Sequence, residues 1–196
     1  VAEPGDIVYI PPGIAHHGES INDECVTLSV GYRSYSANEI LESLDLTTNK
    51  YNNSYYLDPI WLDNSATAEI PNAAIEKLIK LIKNRDLPDT FFGCFVTKLD
   101  PLDEKKLNEI VALEIPLIIK MSATYNLHPL SRIAYQFIEN ELVVFINGNT
   151  LQITNINDDV IIGFCNTRKI KVDDKNKRLA LQFSELSLLE ETHPKI

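Results

Sequence analysis

The middle of the chain has apolar residues at helical spacing. Four of them lie at positions i, i+3, i+4 and i+7, which share one face of a helix: Ile75, Leu78, Ile79 and Ile82. This stripe predicts a helix that begins at Pro71. The capping-box sequence Ser36-Ala37-Asn38-Glu39 predicts another helix over about 37–46. Two more helices are predicted over 89–98 and 100–114, the second opened by Asp100-Pro101.

The first part of the chain has three short stretches rich in β-branched and aromatic residues, over 7–10, 14–20 and 25–32. They predict three strands, with turns at Pro11-Pro12-Gly13 and Asn22-Asp23. A three-stranded sheet with two open edges is marginal by itself. We therefore expect the chain to be the C-terminal piece of a longer protein whose further strands complete this sheet.

The last third of the chain returns to strand patterns. Strands are predicted over 132–138, 142–146 and 149–153, and Asn147-Gly148 predicts a type I′ hairpin turn. Helices are predicted over 158–165 and 179–190. The fold class is therefore α+β. We expect three units: incomplete strands over 1–35, helices over 36–115, and a mixed α+β unit over 116–196.

Composition narrows the class of protein. The 196 residues are 44% hydrophobic, which is typical of a globular chain, and no apolar run is long enough for a membrane span. Cys25, Cys94 and Cys165 are far apart, which argues against disulfides and favours a reduced, cytoplasmic protein. The formal charge of −10 disfavours general nucleic-acid binding.

One stretch has the opposite charge. Residues 166–178 contain six basic and two acidic side chains. We interpret the stretch as a solvated charged loop, with nucleic-acid contact as the alternative.

The histidines offer two hypotheses for a metal site. His17 and Glu19 form a His-x-carboxylate pair whose side chains share one face of a strand. Alternatively His16, on the opposite face, is the ligand and its partners lie elsewhere. A third possibility is that neither histidine binds metal. His128 and His193 are expected to be ordinary surface residues.

The sequence from Pro4 to Gly18, Pro-Gly-Asp-Ile-Val-Tyr-Ile-Pro-Pro-Gly-Ile-Ala-His-His-Gly, resembles the segment around the second iron-binding histidine of JmjC-type cupin oxygenases. It is most similar to the bacterial ribosomal oxygenases, which hydroxylate an arginine of a large-subunit ribosomal protein. Three further segments resemble that branch in the same order: 29–33, 53–59 and 91–95.

The resemblance implies a JmjC double-stranded β-helix, a helical dimerisation region and a C-terminal winged-helix-like domain. It also implies a homodimer that uses Fe(II) and 2-oxoglutarate. His16 would be the second histidine of the iron triad, and His17 a non-ligand. Thr27 is the first candidate for a contact with 2-oxoglutarate, and Cys25 is the second.

The sequence also departs from the family. The family's first His-x-Asp pair and its 2-oxoglutarate-binding basic residue precede the second histidine, but the fifteen residues before His16 contain no histidine, lysine or arginine. We therefore expect the parent protein to be a hydroxylase and this chain alone to be inactive.

Two other functions remain open. The chain could be a non-catalytic dimerisation and winged-helix scaffold, or a cupin of another function that binds metal through His17 and Glu19. The stripe over 75–82 and the phenylalanines at 91, 92 and 95 could likewise form an internal core or a subunit interface.

Overall fold

The computed structural model describes residues 2–10, 14–31, 35–44, 55–56, 68–82, 87–113 and 117–192. The helices are α1 (Ala37–Glu42), α2 (Asn72–Leu81), α3 (Phe91–Thr97), α4 (Pro101–Leu113), α5 (Asp158–Thr167) and α6 (Lys177–Glu185). The strands are β1 (Thr124–Leu127), β2 (Ile133–Ile138), β3 (Glu141–Ile146), β4 (Asn149–Leu151), β5 (Lys169–Lys171) and β6 (Leu189–Glu191). The α+β fold class is therefore confirmed.

The predicted caps and stripes of the first helices are present. The Ser36 hydroxyl accepts a hydrogen bond from the Glu39 amide at 3.2 Å, and the Glu39 carboxylate accepts one from the Ser36 amide at 2.8 Å. These reciprocal bonds satisfy amides that the first turn of α1 leaves without helical partners. In the α2 stripe, Leu78 is 0% exposed and Ile82 2% exposed. The stripe therefore contributes mainly to an internal core, which it shares with α1 and α3.

The β2–β3 hairpin lies between two cores because strand alternation gives it two apolar faces. Ala134 pairs with Phe145, and both pack against the helical core of α1, α2 and α3. The next pair, Tyr135 with Val144, packs on the opposite side against the core formed with α5 and α6. One hairpin thus joins the helical part of the chain to its C-terminal part. The domain boundaries at 35 and 115 stay predictions.

The hairpin turns agree with the sequence. Asn147 and Gly148 both have positive φ, +48° and +85°, as a type I′ turn requires. β4 ends at Leu151, two residues before the predicted end. Glu139 and Asn140 form a second turn with positive φ values, which connects β2 to β3.

A second antiparallel sheet, in the order β5-β1-β6, was not predicted. Residues 179–190 were expected to be helical, but α6 ends at Glu185 and Leu189–Glu191 form a strand. Residues 166–178 were expected to be a solvated loop, but they contain the end of α5, all of β5 and the start of α6. Both predictions were wrong because a non-glycine residue with positive φ ends each preceding helix, Arg168 after α5 and Ser187 after α6.

The three strands predicted near the N-terminus are not found among the described residues. Residues 2–10 and 14–31 are extended or in turns and make no β-ladder. Their apolar side chains are exposed, with Ile7 at 96% and Val26 at 92%. Strand propensity is realised only when a neighbouring strand supplies hydrogen bonds and packing. The predicted turn at Pro11-Pro12-Gly13, the last strand residue Tyr32, and most of 47–67 lie outside the described residues.

No helix in the described parts of the chain combines the length and apolar character that crossing a membrane requires.

Candidate functional site

The segment around His16 and His17 is exposed and extended. A ring nitrogen of His16, Nδ1, lies 3.1 Å from the carbonyl oxygen of Ile14. His17 Nε2 lies 3.2 Å from Glu19 Oε1, and these two side chains are 80% and 84% exposed. The structure thus brings together the His-x-carboxylate pair, which the family resemblance leaves without a metal role.

The two residues predicted to contact 2-oxoglutarate follow a short turn. The predicted turn at Asn22-Asp23 is present, since the Cys25 amide donates to the Asn22 carbonyl at 3.3 Å. Cys25 and Thr27 are both exposed, and Cys25 is a free thiol. Within the described ranges, no hydrogen bond involves the side chain of either residue. Their cofactor role stays a prediction.

An iron site of the JmjC type needs two histidines and a carboxylate on one face of the metal. No group of three histidine, cysteine, aspartate or glutamate side chains with metal-site geometry occurs among the residues that the structure describes. The described residues therefore do not by themselves fit a bound Fe(II). The metal-ligand role of His16 stays a prediction.

His128 was expected at the surface, and this expectation was wrong. The residue is 5% exposed and follows β1, whose Tyr125 and Leu127 are also buried. His128 Nδ1 accepts a hydrogen bond from the Leu130 amide at 3.2 Å, and its Nε2 lies 3.4 Å from Glu190 Oε1 on β6. This pattern puts the proton of the neutral ring on Nε2. Continued strand alternation after Leu127 would have put His128 on the exposed side, so this local pattern does not predict its burial. His193 lies outside the described residues.

Arg168 continues this polar cluster. One of its guanidinium nitrogens, Nη2, donates to the carbonyl oxygens of His128 at 3.2 Å and Ser131 at 2.8 Å. Burial lowers the pKa of Arg168. These contacts join the end of β1 to the end of α5 and to β6, so the cluster stabilises the fold.

The thiols differ in their surroundings. Burial raises the pKa of Cys165 to about 12 and also raises that of Cys94. A nucleophilic cysteine needs a lowered pKa, so these two thiols are poor candidates for catalysis.

Comparisons with known proteins agree with the order of the sequence segments. A JmjC domain model matches residues 1–40. A ROXA-like winged helix model matches residues 80–187. The resemblance to the JmjC-type ribosomal oxygenases is thereby confirmed.

A curated relative is similar over part of the chain. The Ribosomal protein uL16 3-hydroxylase of Escherichia coli (strain K12) is 28% identical over 102 residues, which make up 49% of this chain and 27% of the relative. The chain therefore covers about a quarter of that relative's length. No solved structure matches the chain significantly.

The ROXA-like winged helix model covers more than half of the chain, including α3 to α6 and strands β1 to β5. The chain therefore belongs to the ROXA-like winged-helix family, and its first 40 residues match a JmjC domain.

Proposed function

We propose that this chain is part of a 2-oxoglutarate- and Fe(II)-dependent hydroxylase that modifies an arginine of a large-subunit ribosomal protein. The observation that carries the proposal is the order of the two matched families, a JmjC domain over 1–40 and a ROXA-like winged helix over 80–187. The similarity to a uL16 3-hydroxylase supports the substrate class.

We propose His16 as one iron ligand, with Thr27 and Cys25 near the 2-oxoglutarate site. The sequence context of His16 supports this choice over His17, because His16 takes the histidine position of the family's motif. The contact between His17 and Glu19 supports the competing hypothesis of a cupin that binds metal through that pair. Replacing each histidine separately distinguishes the two.

We also propose that the chain alone does not turn over 2-oxoglutarate. A His-x-Asp pair occurs nowhere in its sequence, and its four histidines are His16, His17, His128 and His193. Facial binding of Fe(II) needs two histidines and a carboxylate. His128 is engaged within a structural cluster, which leaves it unsuited to join His16.

A homodimer in the cytoplasm is part of the same proposal, following the family resemblance. The interface would need residues other than Leu78, Ile82 and Phe92, because these are buried within the chain. Light scattering at several protein concentrations tests the dimer. A monomer at every concentration would contradict it.

Succinate formation from 2-oxoglutarate tests the catalytic proposal. We expect turnover, dependent on added Fe(II) and abolished by a chelator, for the complete gene product that contains this sequence. We expect none for the 196-residue chain. Absence of turnover by the complete product, with a ribosomal-protein substrate present, would favour the non-catalytic scaffold.

A further inference from the structure

The strand–turn–helix over 169–178 presents five exposed cations, which we name the basic edge: Lys169, Lys171, Lys175, Lys177 and Arg178. Its backbone is ordered by β5 and by the first turn of α6. The basic edge therefore projects from ordered backbone.

Strand alternation puts Lys169 and Lys171 on the solvent face of β5, while Ile170 and Val172 are 4% and 2% exposed. Side chains two residues apart on a strand are separated by roughly 6.6 Å. β5 is an outer strand of its sheet, so one side of this row is open.

The turn that follows β5 is held by side-chain hydrogen bonds. Asn176 Nδ2 donates to the Lys171 carbonyl at 2.9 Å, which fixes the start of α6 close to β5. Asp173 Oδ1 accepts from the amides of Lys175 at 2.9 Å and Asn176 at 3.0 Å. This carboxylate oxygen serves the turn, and no ion pair joins Asp173 to a lysine in the part of the chain that the structure describes.

The cations also have neutral neighbours across the sheet. Lys169 pairs with Asn126, and Lys171 pairs with Thr124. Among the described residues, no carboxylate lies within ion-pair distance of any member of the basic edge. The whole chain contains 18 basic and 28 acidic residues. Residues 166–178 contain six of the basic residues and only two of the acidic ones. The positive charge is thus concentrated in a chain that is otherwise strongly acidic.

We propose that the basic edge binds the phosphate backbone of RNA. Phosphate contacts require cations and polar donors, which the edge offers. A protein partner would usually be held by aromatic or apolar side chains that become buried in the interface. None of the large exposed hydrophobic residues in the described parts of the chain lies within 166–178. The choice of RNA rests on the proposed function, because a ribosomal protein substrate is assembled with ribosomal RNA.

Fluorescence anisotropy of a labelled single-stranded RNA tests this proposal with the full chain. The variant K169Q/K171Q removes two cations from the solvent face of β5. The matched control K105Q/K106Q removes two exposed cations from α4, so both variants have the same net charge. Circular dichroism verifies that each variant is folded. The assay contains no peptide substrate or 2-oxoglutarate, so failure of hydroxylation does not affect its outcome.

We expect K169Q/K171Q to bind RNA roughly tenfold more weakly at low salt, and its plot of log affinity against log salt to be shallower by about 0.7 for each lysine removed. The control should match the parent chain. Three results would overturn the proposal: no RNA binding at low salt, an equal loss in both variants, or stronger displacement of the label by duplex DNA or polyglutamate than by unlabelled RNA.

Discussion

Arg132 and Asp100 join the β2–β3 hairpin to the start of α4. Arg132 Nη2 lies 3.0 Å from Asp100 Oδ2, and its Nη1 donates to the Lys98 carbonyl at 2.8 Å. One guanidinium therefore binds both the carbonyl that follows α3 and the carboxylate that precedes α4. Removing it should separate the hairpin from this junction.

We expect R132A to lower the free energy of unfolding by about 1–2 kcal/mol, because two charge-assisted hydrogen bonds are lost from a half-exposed site. D100N keeps the size and hydrogen-bonding capacity of the side chain, so it should cost less than about 1 kcal/mol. Urea denaturation measures both. A loss for D100N as large as that for R132A would show that the charge pair dominates over the bond to Lys98.

Gly93 allows α3 to approach the hairpin closely. A Cβ at this position would overlap the ring of Phe145, which is fully buried. We therefore expect G93A to destabilise the protein by about 1–3 kcal/mol through overpacking. Gly163 in α5 is the matched control, because a Cβ there meets nothing and its φ is helical. G163A should be neutral or stabilising by up to about 1 kcal/mol. Similar thermal midpoints for the two variants would contradict this account of the α3–β3 contact.

Asn147 does more than form the hairpin turn. Its Oδ1 accepts the Arg132 amide at 2.8 Å, whereas Asn140 occupies a comparable left-handed position in the other turn and is exposed. N147A should therefore cost about 1–3 kcal/mol more than N140A, since it also leaves the Arg132 amide without its partner. Equal costs, measured by urea denaturation, would mean that only backbone conformation matters.

The buried thiol of Cys165 makes the free energy of unfolding depend on pH in the alkaline range. Its thiol is 2% exposed and has a pKa of about 12, against 9.0 for a free thiol. Between these values the unfolded chain loses a proton that the folded chain retains, so stability is full below about pH 9 and falls as the pH rises toward 12. The limiting slope for one group is about 1.4 kcal/mol per pH unit.

Unfolding of the parent and of C165A across this range checks the effect, and C165A should show a shallower decline. Cys94 and Tyr135 also have raised pKa values, so some decline should remain. A thiol reagent near pH 8 provides an independent measurement. We expect Cys25 to react in the folded state and Cys165 only after unfolding. Fast labelling of Cys165 in the folded chain would contradict its burial.

Local sequence rules predicted the elements whose determinants lie within a few residues. The Ser36–Glu39 box and the Asn147-Gly148 turn need only short-range hydrogen bonds and backbone preferences. The elements they specify are present.

The missed sheet has a different cause. α6 ends in a Schellman motif, in which the Leu188 amide donates to the Phe183 carbonyl at 3.1 Å and Ser187 has a φ of +52°. α5 ends with Arg168 at +56°. The left-handed residue after a helix is usually glycine. Because serine and arginine take that position here, the sequence gives no glycine signal for either helix end. The strands that follow both ends depend on β1, more than forty residues earlier in the chain.

The candidate site was predictable only through family resemblance. Residues 14–31 have the apolar content of strands, yet their side chains are exposed in the described structure. Their final conformation depends on strand partners, which local propensity does not reveal.

The most direct test of the proposed hydroxylase is mass spectrometry of ribosomal protein uL16 after incubation with the complete gene product, Fe(II) and 2-oxoglutarate. We expect the wild-type and H17A proteins to add one oxygen to an arginine, and H16A to add none. Hydroxylation by H16A together with its loss in H17A would contradict the account and would favour the His17–Glu19 pair as the metal site.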